Sequence, residues 1–362
     1  MPRPPNFDNN VSNGRAIKAL PPKDRVLSLV EKSFQGFHPA YPLFDKARFM
    51  SVFDSLDTSV NDPGRWACLN VVLALTPQFQ YGMAQDMEED CETWGYFQTA
   101  FAVVGQLMTM HVTLWSVQAL LGMALVIQGT PNQGPVSLLI SAAMKLAHRM
   151  GLHKRCQNPN ISAAEIEERK RVFWIAYSLD KDLSLRMGQP SAQDDDDMDV
   201  ELPSEIDSSL IHAGESTRMN FFNFRARLAM IQGQIYKRLY SVKATKQAVS
   251  ERVVAATELE AMLQSWRANV PIEFMQDYYE PFLQVPTSGT IRHPIILQLV
   301  YFNSLAIVYN SLPALPRYRE LQGTGDPMEF QLLSAPLIYA TEARKAIKLL
   351  QVTPRRRYAC IW

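Results

Sequence analysis

The chain has 362 residues, of which 47% are hydrophobic, and its 36 Lys and Arg balance 36 Asp and Glu. This apolar content suffices to bury a sizeable core and excludes a wholly disordered chain. A net charge of zero argues against a protein that binds nucleic acid by itself, because neutralising the phosphates requires a basic excess or a clustered basic face.

The N-terminal residues 1–23 are rich in Pro and Asn, and we expect them to form a disordered leader. Residues 1–13 lack the apolar stretch of a secretory signal peptide. The longest strongly apolar stretch, Leu120–Ile127, is shorter than the roughly 18 to 20 residues that a bilayer crossing requires. The sequence therefore predicts a soluble intracellular protein that does not contact membranes.

Helical periodicity dominates the chain from residue 24 onward. Apolar residues recur at helical spacing from Asp24 to Gly36, and His38–Phe44 then combines two prolines with large apolar side chains, as in a turn that fills a core. A short helix is predicted over Asp45–Leu56. Further helices are predicted at Trp66–Leu75, Glu88–Met110, Leu114–Gln128, Val136–Leu152, Ser162–Met187, Arg218–Tyr240, Gln247–Asn269, Ile291–Ser311 and Glu329–Leu350.

No stretch shows the period-2 alternation of a half-buried strand, so the sequence predicts an all-α fold without a sheet of note. Helices of this length with short connections favour a compact domain of antiparallel helix pairs over residues 24–351, followed by a short basic tail at 352–362. An α-solenoid stays open as an alternative, although no repeat of 34 or 40 residues is visible.

The four cysteines lie at Cys68, Cys91, Cys156 and Cys360, too dispersed for a zinc site built from local spacing. We expect reduced, buried thiols and no cofactor in this chain. The acidic run Asp194–Asp197 lacks the glycine of a calcium loop, so we expect an extended solvated loop, with a divalent ion or a basic partner as alternatives.

Sequence motifs of enzymes are missing as well. The chain contains neither HExxH nor G-x-S-x-G, and it has neither of the common glycine-rich phosphate loops. We therefore expect no enzymatic activity.

One segment is similar to a known family. Residues 165–190, EIEERKRVFWIAYSLDKDLSLRMGQP, followed by DMDVELP at 197–203, resemble the central signature of the fungal-specific transcription factor domain, the middle homology region of fungal zinc-cluster activators. The preceding residues 138–153 and the N-terminal segment 20–49 are similar to the family too, and the core of the resemblance spans 136–203. It is carried by Arg169, Arg171, Trp174, Tyr177, Asp180, Arg186, Gly188, Pro190, Asp197 and Pro203.

These residue types indicate that the segment packs into a core. We expect the aromatic side chains to fill a core and Arg169, Arg171, Asp180 and Arg186 to form a partly buried charge network. A Gly-Gln-Pro turn at 188–190 should stop the helix and direct the acidic run outward. The alternative is that this helix is itself an effector-binding surface.

The resemblance implies a nuclear transcription regulator that controls one pathway, for example a secondary-metabolite gene cluster. Family members carry a six-cysteine, two-zinc cluster that reads DNA, and this chain shows no such segment, so zinc would come only with a missing N-terminal cluster. We expect the chain to reach DNA indirectly, through a DNA-binding transcription factor or as a homodimer, and to respond to a small-molecule effector. The alternatives are a helical interaction scaffold without transcriptional output and, less favoured, a helical enzyme.

Overall fold

The structure is a computed structural model, and it describes residues 19–54, 62–79, 87–110, 112–128, 134–204, 210–213, 217–271, 274, 292–311, 341, 343–345 and 347–348. Regular structure in these ranges is almost entirely helical, which confirms the all-α prediction. The helices are α1 (Lys23–Gly36), α2 (Lys46–Asp54), α3 (Pro63–Phe79), α4 (Met87–Phe101), α5 (Val104–Thr109), α6 (Leu114–Gln128), α7 (Val136–Arg149), α8 (Ala163–Met187), α9 (Phe221–Ile235), α10 (Val242–Thr245), α11 (Val249–Ala268) and α12 (Arg292–Asn310).

The chain divides into two compact units, the first of which comprises residues 1–176 and 198–204. Helix α6 lies at the centre of this unit. Every residue of α6 is buried, as expected for a helix that is apolar on all sides. Helix α3 packs on α6, on α1 and on α4, and α6 packs on the next helix in the chain, α7. Phe37, Leu43 and Phe44 are each at most 1% exposed, which agrees with the predicted core-filling turn.

The second unit comprises residues 177–197 and 205–362. Helices α9, α11 and α12 pack on one another in this unit. Trp266 of α11 links all three, because its Nε1 donates to the Phe224 carbonyl oxygen of α9 at 3.0 Å and its ring stacks on Tyr301 of α12. The predicted regulatory domain, residues 24–351, includes residues of both units. Periodicity shows which face of a helix is buried but not which helices bury it.

A short hairpin precedes α9. Strands β1 (Leu210–Ala213) and β2 (Thr217–Asn220) pair antiparallel, and Leu210 lies opposite Asn220. The sequence predicts helix from Arg218, three residues before α9 begins at Phe221. Asn220 explains the difference, because its side chain accepts a hydrogen bond from the Asn223 backbone N–H at 3.0 Å and so caps the helix at this point.

Several predicted segments fall largely outside the described residues. The predicted leader is described only from residue 19 onward, the tail at 352–362 is not described, and the predicted helix Glu329–Leu350 is represented by residues 341, 343–345 and 347–348, which are helical. Across the described part of the chain, no helix has the length and hydropathy that a membrane crossing would need.

The packing of α3 on α6 depends on one glycine. A Cβ atom built on Gly122 of α6 would lie 2.2 Å from Cγ1 of Val71, a fully buried residue of α3. Because a β-branched side chain in a helix has one preferred rotamer, Val71 cannot easily move aside. These two helices can therefore approach each other this closely only because residue 122 has no side chain.

We expect Gly122→Ala to lower the free energy of unfolding by up to about 2 kcal/mol. Overpacking a core costs typically 1 to 3 kcal/mol, which outweighs the roughly 1 kcal/mol that alanine gains over glycine in a helix. Gly105→Ala is the matched control, because no atom lies within 4 Å of its added Cβ. Urea unfolding followed by circular dichroism distinguishes the two. Equal stability of both variants would contradict the helix contact.

Candidate functional site on the signature helix

Helix α8 carries most of the residues on which the family resemblance depends, and every residue from Arg171 to Leu183 is buried. A helix buried on all sides is normally apolar all round. This one nevertheless buries five charged side chains: Glu168, Arg171, Asp180, Lys181 and Asp182. A buried charge is stable only if it is paired and hydrogen-bonded, so their partners define the site.

Glu168, which is 1% exposed, organises the first unit. Its Oε1 accepts hydrogen bonds from the Asp45 backbone N–H at 3.0 Å and from Nε2 of Gln118 at 2.9 Å, and its Oε2 pairs with the Arg48 guanidinium at 2.8 Å. Gln118 also donates to the Leu43 carbonyl oxygen at 2.6 Å. One carboxylate thus ties the N-terminal turn and α2 to α6 and α8.

Two cations, Arg48 and Arg171, lie near this carboxylate. The Arg48 guanidinium lies 5.2 Å from the centre of the Trp115 ring, within the range of a cation–π contact. Arg171 is 5% exposed, and burial lowers the pKa of its guanidinium while the Glu168 carboxylate opposes this effect. The unit therefore holds Arg171 through electrostatic attraction to a nearby buried anion.

The buried turn contains His38. Its Nε2 lies 2.7 Å from the carbonyl oxygen of Phe44, which can only accept, so Nε2 carries the proton. Burial lowers the pKa of His38 from 6.5 to about 4, and the Arg171 cation acts in the same direction. At neutral pH the ring is uncharged in the folded protein.

Residues 198–204 lie against the first half of α8. Nε1 of Trp174 donates to the Glu201 carbonyl oxygen at 2.9 Å, and the Ser204 backbone N–H donates to the Glu167 carboxylate at 2.8 Å. Pro203, in the same segment, is buried. Arg169 pairs with Glu165 at 2.8 Å on the partly exposed face of the helix.

In the second unit, the end of α8 binds the segment that follows it. Asp180 is 4% exposed and accepts hydrogen bonds from the Ala192 and Gln193 backbone N–H groups at 3.0 and 3.1 Å. Burial raises the pKa of Asp180, and these two donors oppose the rise. The carboxylate thereby accepts the hydrogen bonds that these two backbone N–H groups would otherwise donate to water.

Lys181 is 4% exposed, and its ammonium group has three oxygen partners. Nζ lies 2.6 Å from the Gln193 carbonyl oxygen, 2.9 Å from Ser191 Oγ and 2.8 Å from Asp195 Oδ1. The Tyr177 hydroxyl donates to the same Asp195 oxygen at 2.8 Å, and burial together with that carboxylate raises the pKa of the phenol. All three N–H donors of the ammonium are therefore used.

These contacts correct the expectation for the acidic run. Asp194 and Asp196 are exposed, as expected of a solvated loop, but the run is not extended, because Asp195–Asp197 forms a 3₁₀ turn and Asp195 is held by Tyr177 and Lys181. Lys237 pairs with Asp196 at 2.6 Å and with Asp194 at 3.3 Å. Asp197 is exposed, as expected of a loop residue. Two lysines of the same unit, Lys181 and Lys237, thus pair with three of the four carboxylates.

The remaining signature residues end the helix. Gly188 adopts a φ of +65°, which favours glycine, and the Gln189 N–H donates to the Ser184 carbonyl oxygen at 2.9 Å in a Schellman arrangement. Pro190 follows on the surface. Arg186 pairs with Asp182 at 3.1 Å, and Asp182 accepts from Nε2 of Gln232 at 3.0 Å.

The structure does not join Arg169, Arg171, Asp180 and Arg186 in one network as the sequence analysis expects. Arg169 and Arg186 pair with carboxylates four residues away in α8, and Asp180 binds backbone groups. Sequence reasoning missed the residues that receive the most contacts: Glu168, Lys181, Asp182, Arg48, Gln118, Gln193 and Gln232. The charged triplet 180–182 inside an apolar stretch was the available signal, since such charges need partners.

Within the described ranges, no group of three or more His, Cys, Asp or Glu side chains is arranged to hold a metal ion. Cys68 is buried and Cys156 is partly exposed. Burial raises the pKa of the Cys68 thiol, and the nearby Asp62 and Glu168 carboxylates act in the same direction.

We expect Glu168→Ala to lower the free energy of unfolding by about 3 kcal/mol, because it leaves the buried partners of this carboxylate unpaired. Glu165→Ala is the matched control: it removes a glutamate that pairs with an arginine on a partly exposed face of the same helix. This change should cost under about 1 kcal/mol. Urea unfolding midpoints measure both, and similar losses would refute the central role of Glu168.

We expect His38 to make the protein less stable in acid. Between pH 6.5 and about 4 the unfolded chain binds a proton at His38 that the folded protein does not, so stability falls as the pH falls through this window. From pH 7 to 4, wild type should lose about 3 kcal/mol more than His38→Gln. Parallel unfolding profiles of the two proteins over this range would contradict the buried neutral ring.

Comparison with known proteins places these features in a family context. The model of a family described as "Fungal specific transcription factor domain" matches residues 33–268. The chain is 37% identical to an "ABC-transporter-regulating transcription factor" of Aspergillus oryzae, over 99% of this chain and 41% of that protein. It is 32% identical to the "Fusaridione A cluster transcription factor fsdR" of Fusarium heterosporum, over 81% of this chain and 55% of that protein.

The chain therefore spans about half the length, or less, of the curated relatives it matches. A second ABC-transporter-regulating transcription factor, from Aspergillus fumigatus, is 36% identical over the same shares of both chains. No solved structure matches the chain.

Proposed function

Because the chain belongs to the fungal-specific transcription factor domain family, and is thus part of a fungal transcription regulator, we propose that it is the regulatory body of a pathway-specific factor that acts in the nucleus. The buried signature helix carries this proposal. Its charged residues bind other parts of their own units, so the signature maintains a folded body rather than presenting a row of free charges.

DNA recognition in this proposal comes from outside the 362 residues. Their four cysteines are too few for a six-cysteine cluster, and their positive and negative charges balance. A further segment of the same polypeptide or a DNA-binding partner would supply the contacts to bases and phosphates. The regulatory body would then act as a homodimer or in complex with that partner.

The printed names of the relatives guide the choice of target genes. One relative is named for the regulation of an ABC transporter and another for the fusaridione A cluster. We propose that the targets here are genes for the synthesis or export of a small metabolite. The alternative, a helical interaction scaffold without transcriptional output, uses the same fold and differs only in its effect on transcription.

A reporter experiment tests the proposal. The chain is fused to a heterologous DNA-binding domain, and transcription from the matching operator is compared with that driven by the DNA-binding domain alone in a fungal host. We expect the fusion to change reporter transcription, because the folded body is proposed to act on the transcription machinery. Gly105→Ala should retain the effect and Gly122→Ala should weaken it, since only the latter disturbs the core.

Two outcomes would contradict parts of this proposal. If the fusion is nuclear and folded but leaves the reporter unchanged, the scaffold alternative replaces the proposed transcriptional role. If the purified chain binds duplex DNA at physiological salt with a steep salt dependence, it reads DNA itself.

A further inference from the structure

A cleft of about 280 Å³ opens on the first unit, beside the start of α8. Leu152, Ile166 and Val200 give it an apolar floor, of which Leu152 and Val200 are buried. Four cationic side chains surround this floor: Lys154, Arg155, Arg169 and Lys170. We call it the basic cleft.

The walls of the basic cleft are fixed by backbone hydrogen bonds. Gly151, at a φ of +70°, turns the chain after α7, and the His153 carbonyl oxygen accepts from the Asp199 and Val200 backbone N–H groups at 3.1 and 3.3 Å. The Arg155 N–H donates to the Asp199 carboxylate at 2.7 Å. The two segments that line the cleft are therefore joined without a ligand, which lowers the entropic cost of binding one.

Within its lining, the basic cleft has four cations and one carboxylate. Glu201 is the one carboxylate in its lining and faces four cations; it pairs with Arg155 at 2.6 Å and lies 3.6 Å from the Lys170 ammonium. Glu165 and Glu167 take part of the charge of Arg169 and Lys170 from outside the lining. Lys154 is exposed and has no ion pair with a carboxylate of the described residues.

We propose that the basic cleft binds an anionic, partly apolar small molecule, such as an aromatic carboxylate or sulfonate. The cations would bind the acid group and the floor would pack against the ring. The volume lies near the lower end for ligand pockets, which limits the ligand to a few rings. The role of the cleft as an effector site rests on the proposed function, whereas the binding of an anionic small molecule does not.

Cys156 provides a direct readout, because it lines the basic cleft and is partly exposed. The probe is 1-anilinonaphthalene-8-sulfonate, and its neutral counterpart without the sulfonate, N-phenyl-1-naphthylamine, is the comparison. With purified chain, the sulfonate should slow alkylation of Cys156 by iodoacetamide, measured on the Cys156 peptide by mass spectrometry. The neutral dye should protect less, and added salt should weaken protection by the sulfonate.

The double variant Lys154→Gln/Arg155→Gln changes two exposed side chains, so its fold should persist, as circular dichroism can verify. We expect it to bind the sulfonate roughly tenfold more weakly. Lys243→Gln/Lys246→Gln removes the same charge from exposed positions outside the cleft and should leave binding unchanged.

Dye fluorescence that rises without protection of Cys156, equal protection by both dyes, or equal losses in the two double variants would each overturn the proposal. These measurements need no reporter. A failed reporter assay with intact binding would therefore reject the transcriptional role alone.

Discussion

Burial of charge within α8 is the constraint on which the rest of the structure depends. A helix that places a glutamate, an arginine and an Asp-Lys-Asp triplet out of water must surround them with donors and acceptors at hydrogen-bond distance. Glu168 does this in the first unit with a backbone N–H, an amide and a guanidinium. Asp180 and Lys181 do it in the second with the segment at 191–195.

Buried ion pairs contribute less to stability than their number suggests, because desolvation offsets most of their attraction. We infer that their effect here is on which conformation forms. Gln118 can donate to both Glu168 and the Leu43 carbonyl oxygen only when the N-terminal turn lies on α6. In the same way, Gln232 donates to both Asp182 and Ser304 only in one register of α9. An apolar core alone would tolerate several such registers.

The sequence predicts the helices well, since α6 begins and ends where its periodicity indicates and α8 differs by one residue at its start. It does not predict the partners of the buried charges. Arg48 and Glu168 are 120 residues apart, and no local pattern connects them. The hairpin before α9 was missed because apolar spacing continues through Met219, while the signal that stops the helix is a single capping asparagine. The basic cleft likewise depends on a turn at Gly151 that brings 150–158 next to 199–201.

The surroundings of the Lys181 ammonium are those of a small ion site. Three oxygen atoms, from a carbonyl, a hydroxyl and a carboxylate, lie 2.6 to 2.9 Å from Nζ, much as oxygen ligands surround a bound monovalent metal ion. The Lys181 side chain thus acts as the counter-ion of Asp195 in the acidic run. A planar guanidinium in place of the tetrahedral ammonium would not match this arrangement of oxygens.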